Sequence, residues 1–219
     1  MPITLTTPHY TGIPDGGRTV QKRRAILDAA REVFLSSGYR GASMDEVAAI
    51  AQVSKVTVYK HFSDKRNLFT SVITSAIDEA ELSTHSVVDR LGQSTDLAKD
   101  LRTFARQHIA EVTQPHLIQM RRMIIAEAAR FPELAQAWHR SGPERAHATL
   151  AKQIKQLTTR GLLQASDHLL AAQQLNYLIL SVPVNEAMFT GRTKPYPRSQ
   201  LYRYADEAVR VFLAGYTPI

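Results

Sequence analysis

Between Ser54 and Lys65 the chain reads SKVTVYKHFSDK, and Lys55, Thr57, Tyr59, Lys60 and His61 crowd five hydrogen-bond donors into one short stretch. Ammonium groups neutralise phosphates, hydroxyls and imidazoles bond to phosphate oxygens or base edges, and the methyl groups of Thr57 and Val58 suit contact with a thymine methyl. That combination serves recognition of a polyanion and contains no nucleophile paired with a base. Ser54 can cap a helix running to His61 or Phe62. At about 1.5 Å per residue such a helix is roughly 12 Å long, two turns, and fits a major groove about 12 Å wide.

The segments on either side must hold that helix in place. From Thr19, the positions Ile26, Ala29, Ala30, Val33 and Phe34 recur at three- and four-residue steps, so a first helix carries one apolar stripe. Gly38 suits a left-handed stop to it. Ser43 and Glu46 form an S-x-x-E capping box that starts a second helix with Val47, Ala48 and Ala51 inward. Ser63 is the expected cap of a fourth helix containing Leu68, Phe69, Val72, Ile73 and Ile77. Ser63, Asp64 and Lys65 together read as a phosphate clamp, a helix N-terminus with a cation in its first turn. Lys22, Arg23 and Arg24 stand where a leading arm, residues 1–18 (rich in Thr, Pro and Gly), joins the first helix, and can lie along a phosphate backbone or enter a minor groove.

The charge balance agrees with a polyanionic partner. The 219 residues carry a formal charge of +7, and residues 1–70 hold 10 Lys and Arg against 6 Asp and Glu, a denser excess than the remainder has. An apolar content of 44% with 21% charged residues is that of a globular protein. The absence of cysteine removes disulfides, thiolate metal sites and thiol nucleophiles. No apolar run approaches the roughly 20 residues that span a bilayer, and no signal-peptide pattern leads the chain, so a cytoplasmic location is expected. The eight histidines make no metal motif, and no phosphate-binding glycine loop or nucleophile elbow occurs, so neither metal, cofactor nor catalytic residue is expected.

Beyond Leu91 the pattern is helical throughout. Five helices are expected at about 96–113, 115–130, 132–160 with a break near Gly142, 167–190 with a bend at Pro183, and 198–215. No strand alternation appears, and the fold class is all-α.

The stretch from Thr19 to Phe69 resembles the DNA-binding domain of the TetR/AcrR family of bacterial transcriptional regulators. The resemblance is carried by Ile26-Leu27-Asp28-Ala29-Ala30, Phe34, Gly38-Tyr39, Ser43-Met44-Asp45-Glu46-Val47-Ala48, Val53-Ser54-Lys55, Thr57-Val58-Tyr59, His61-Phe62, Asp64-Lys65 and Leu68-Phe69. RRMIIAEAARFPELAQAWHR further on is similar to an AefR-like sensor domain. The resemblance implies a helix-turn-helix domain at 19–66 and a ligand-binding and dimerisation domain at 67–219. It assigns Lys55, Thr57, Val58, Tyr59, Lys60 and His61 to the groove and Lys65 to a phosphate. Gln52 stands where the family often has Gly, which implies either a left-handed residue at a cost of about 1 kcal/mol or a different turn, and Val56 replaces a frequent Gly or Pro.

It further implies a homodimer on a palindromic operator, released by a small molecule. The dimer would form through the last two helices, by Leu169, Leu170, Leu175, Leu178, Ile179 and Val182 on one and Leu201, Ala205, Ala208, Val209 and Phe212 on the other. An apolar effector pocket with a few polar groups draws its candidates from Phe104, His108, Met120, Met123, Ile124, Glu127, Trp138, Asn176, Tyr177 and Leu180, with Met123 and Trp138 foremost. The alternatives left open are a constitutive or activating DNA-binding dimer without effector, and a helical enzyme.

Overall fold

The computed structural model describes residues 15–192 and 194–218, and within them the side chains of all but residues 15, 16 and 80–86. The described residues are helical with no strand, and the chain divides into two compact units after Phe69.

The first unit is built on α1, Asp15–Gly41, α2, Met44–Ile50, and α3, Lys55–His61, closed by the first residues of α4, Lys65–Leu91. Residues 15–18 lie within α1 and are helical where an arm was expected. Residues 1–14 of the expected arm lie outside the described residues. Gly38 interrupts α1 with φ 69° and ψ 174°, a conformation that disfavours any Cβ although nothing lies within 4 Å of one.

Ser43 Oγ accepts from the Glu46 amide at 3.1 Å, and Ser54 Oγ from the Thr57 amide at 3.1 Å, so both expected caps are in place. The cap of α4 is Asp64 instead of Ser63: its carboxylate accepts from the Asn67 amide at 2.7 Å. Ser63 is one residue too far from the first turn to do so. Between α2 and α3, Gln52 has φ 54°, the only positive φ outside glycine among the described residues.

The core of this unit gathers Ile26, Ala30, Val33, Val47, Val58 and Phe62 around an aromatic cluster. Phe69 meets Phe34 edge-on at 4.7 Å and Tyr39 at 5.0 Å, geometry that adds to simple area burial.

The second unit holds the rest of α4 and then α5, Leu97–Val112, α6, Pro115–Glu127, α7, Pro132–His139, α8, Arg145–Thr159, α9, His168–Thr190, and α10, Arg198–Tyr216. The expected helix at 132–160 is two helices, joined by a π turn over Arg140–Glu144 where a break was expected. Pro143 inside that turn has no N–H to give an ordinary helical bond, and the wider π winding accommodates it. Asp96 caps α5, Asp167 caps α9, and Gly191 closes α9 in the left-handed region at φ 66°. Helix α9 continues through Pro183, whose carbonyl accepts from the Tyr196 hydroxyl at 2.9 Å. The turn after α4 is tied to α8, since Gln153 accepts from the Gly92 amide at 3.0 Å and Arg160 donates to the Gly92 and Ser94 carbonyls.

Apolar stripes from α5, α8, α9 and α10 close one core. It absorbs much of the expected dimer surface. Leu175 and Ile179 on α9, and Leu201, Ala205, Ala208, Val209 and Phe212 on α10, are buried within the protomer. Leu169, Leu170, Leu178 and Val182 are exposed, together with Val211 on α10. The helical period explains the split: residues 171, 175 and 179 face inward, so 170, 178 and 182 face outward. Among the described residues no helix is long and apolar enough to cross a membrane.

Candidate functional site

Helix α3 presents two faces. Val58 is 0% exposed and Phe62 just beyond its end 1%, four residues apart and anchored in the core. The opposite arc carries Lys55, Val56, Tyr59 and Lys60, all exposed, with Thr57 and His61 half-buried at its margins. Val58 is therefore removed from the expected groove-facing set, because a fully buried methyl cannot meet a base. Val56, 76% exposed, is the apolar side chain on the outer face. The signal for this exchange was the spacing itself, since Val58 and Phe62 form an i, i+4 pair.

The cations fall into two groups. Lys60 and Tyr59 are exposed on the outer face, whereas Lys55 pairs with Asp45 of α2 at 2.7 Å, an exposed contact that raises the Lys55 pKa chiefly through its hydrogen bond. Lys65 points elsewhere. Its ammonium donates to the Arg40 carbonyl at 3.1 Å and the Ala42 carbonyl at 3.0 Å and lies 5.1 Å from the Tyr39 ring centre. Two of its three donors thus bind one carbonyl in the last turn of α1 and one just beyond its end, where carbonyls lack helical partners.

Lys22, Arg23 and Arg24 are exposed within α1, not at its start, and the Arg23 guanidinium stacks 5.2 Å above the Phe62 ring. Ser43 and Ser54 are exposed, and each is engaged by its cap bond; Ser54 Oγ also lies 2.8 Å from Thr57 Oγ1. The outer face of α3 is thus a slim helix surface with cation, phenol and methyl groups, the equipment for lying in a DNA groove.

The second unit contains a cavity of about 790 Å³, lined by side chains of α4 to α9. Phe104, His108, Ile124, Trp138, Asn176, Tyr177 and Leu180 line it. Met120, Met123 and Glu127 do not. Leu117, Arg121 and Ile124 share the cavity face of α6, and Met123 sits about 200° round the helix from Arg121. Met120 is packed in the core at 0% exposure. Sequence reasoning missed Arg121, Arg122 and His147, although Arg121 falls three residues before Ile124 and so shares its face.

The polar groups of this cavity form a short network. His108 Nε2 and Asn176 Oδ1 are 2.8 Å apart, and the His108 ring stacks on Phe104 at 5.3 Å. Burial lowers the His108 pKa below its ordinary 6.5, against the hydrogen bond, with His147 and Arg121 acting in the same direction as burial. Burial also lowers His147, helped by His139. The Arg121 pKa is lowered by burial, and its guanidinium lies 5.6 Å from the Trp138 ring centre. Arg122 donates to the carbonyls of Ala187 and Arg192 near the end of α9. Among the described residues no three His, Asp or Glu side chains are grouped to hold a metal ion. Mostly apolar walls with a few fixed polar groups describe a site for a small organic molecule.

Residues 26–72 match the family described as "Bacterial regulatory proteins, tetR family", and residues 99–218 match "AefR-like transcriptional repressor, C-terminal domain". Among curated relatives, the chain is 45% identical over 58 residues to the HTH-type transcriptional activator FasR of Mycolicibacterium smegmatis, covering 26% of each chain. It is 36% identical over 98 residues to the DNA-binding transcriptional repressor TetR of Mycobacteroides abscessus, covering 43% of this chain and 50% of that one. The matched stretches thus span between a quarter and a half of these relatives. Among solved structures, a regulator from Mesorhizobium loti assigned to the same family superposes with a TM-score of 0.86 at 41% identity, covering 92% of this chain and 99% of that one. The flavonoid-responsive regulator FrrA superposes with a TM-score of 0.75 at 28% identity, covering 91% and 98%.

Proposed function

We infer function from one premise: this chain belongs to the TetR family of DNA-binding transcriptional regulators, with an AefR-like C-terminal domain. We propose that it is a homodimeric repressor that occupies a palindromic operator and leaves it when a small, largely apolar effector fills the cavity of the second unit. In this reading residues 19–66 read DNA and residues 67–219 bind the effector and dimerise. The observation that carries the effector is the cavity of about 790 Å³, a volume suited to a drug-sized molecule and walled by Phe104, Ile124, Trp138 and Leu180.

Base and phosphate contacts fall to Lys55, Val56, Thr57, Tyr59 and Lys60, with Lys22, Arg23 and Arg24 on the backbone. The exposed residues Leu170, Leu178 and Val182 of α9 and Val211 of α10 support a two-fold interface through the last two helices. Release is a linkage: an effector with higher affinity for a dimer state whose recognition helices no longer match grooves about 34 Å apart lowers DNA affinity by the same factor.

A salt-titrated binding assay on the chain's own promoter region tests the reading. Specific DNA is expected to bind at least about a thousandfold more tightly than bulk DNA. Equal affinity for both overturns it.

A further inference from the structure

We propose that the effector is an amphiphilic organic anion, a monocarboxylate with an apolar body, whose acid group pairs with Arg121 inside the cavity. This rests on the reading of that cavity as the effector site.

The guanidinium of Arg121 lines an apolar chamber, with the ring of Trp138 5.6 Å away. Among the described residues no carboxylate forms an ion pair with it, and Glu111, which shares the wall, makes no ion pair either. Arg121 is half-buried; a cation partly withdrawn from water without a counter-charge is costly, and a planar guanidinium is shaped for two parallel bonds to a carboxylate. Of the other charged groups among the described residues of the cavity wall, Glu111 is the one carboxylate and Arg122 a second cation. Burial favours the neutral forms of His108 and His147, and His147 Nε2 is buried without a hydrogen-bond partner among the described residues. The Tyr177 side chain on the same wall brings a hydroxyl donor that can serve an anion. The remaining walls, from Phe104, Ile124 and Leu180, offer a carboxylate's body an apolar seat. A neutral ligand would leave Arg121 without a counter-charge, and an organic cation would face Arg121 directly.

Titration calorimetry on the full chain tests this with decanoate, decanamide and decylamine, and with 2-naphthoate and 2-naphthamide. The sole tryptophan, Trp138, gives a second readout by fluorescence quenching. At least one acid is expected to bind about ten- to a hundredfold more tightly than its amide, as a charged hydrogen-bonded pair should. Arg121→Met should abolish that preference, and Arg121→Lys should restore part of it. Equal affinity of acid and amide, tighter binding of the amine, no binding by either acid, or an undiminished preference in Arg121→Met would each overturn the proposal. Should the variants fail to fold, the acid-to-amide ratio of the unaltered chain decides. A separate arm, release of promoter DNA by the bound acid, bears on the repressor reading: binding without release overturns that mechanism and leaves the anion assignment standing.

Discussion

The outer face of α3 belongs to one helix of seven residues, whereas the cavity of the second unit is assembled from side chains that six helices turn inward. In the first, neighbours along the chain decide everything that matters: Ser54 caps the helix, Val58 and Phe62 anchor it, and the remaining arc is exposed by default. In the second, His108 and Asn176 meet across 68 positions, and Arg121 is given its surroundings by α7, α8 and α9. A surface of the first kind separates function from stability residue by residue. A chamber of the second kind mixes them, since its polar groups share one network with the core.

The largest expected effect tests that separation. Val58→Ala should destabilise the first unit by about 2 kcal/mol, the cost of buried methyls plus a residual cavity. Val56→Ala should leave thermal unfolding unchanged within about 0.5 kcal/mol and alter only DNA affinity. If the two variants melt alike, the two faces of α3 are wrongly assigned.

A second pair sharpens the contrast between free and engaged cations. Lys65→Ala removes two bonds to the α1 terminus and should lower stability by about 1–2 kcal/mol. Lys60→Ala should leave stability unchanged but reduce the slope of log affinity against log salt by about 1. A reduced salt slope in Lys65→Ala, without destabilisation, would return Lys65 to the phosphate-binding set.

The smallest effect is confined to the cavity. His108 and His147 both have folded pKa values below the ordinary 6.5, so above pH 6.5 they are neutral whether the chain is folded or not. Below it the unfolded chain takes up protons first, and stability falls as pH drops from 6.5 toward the folded values. Thermal unfolding of the whole chain from pH 7.5 to 5 should show this decline, and His147→Gln should flatten it. An equal decline in that variant would shift the cause to other groups.

How far each site could be read in advance follows from the same contrast. The sequence of helices and the caps at Ser43 and Ser54 were legible because each depends on a few consecutive residues, whereas Gln52 was open between a left-handed residue and a different turn until its φ was seen. The cap at Asp64 was misplaced by one residue, within the ordinary uncertainty of helix ends. Val58 could have been set inward from its spacing to Phe62. Met123 illustrates the opposite case: its chemistry suits an adaptable pocket, but α6 turns its other face to the chamber, and no local pattern says which apolar face of a helix meets a void.

Taken alone, the amino-acid sequence determined an all-α chain with a short capped helix at Lys55–His61, because capping, helical period and turn geometry act over four or five residues, and its resemblance pointed to the TetR family. Only the tertiary structure decided that Lys65 binds the end of α1, that α10 turns its stripe into the protomer, and that Arg121 stands in a mostly apolar cavity with no ion-pair partner among the described residues. Those outcomes depend on which elements approach one another, and burial and charge pairing act across that distance rather than along the chain.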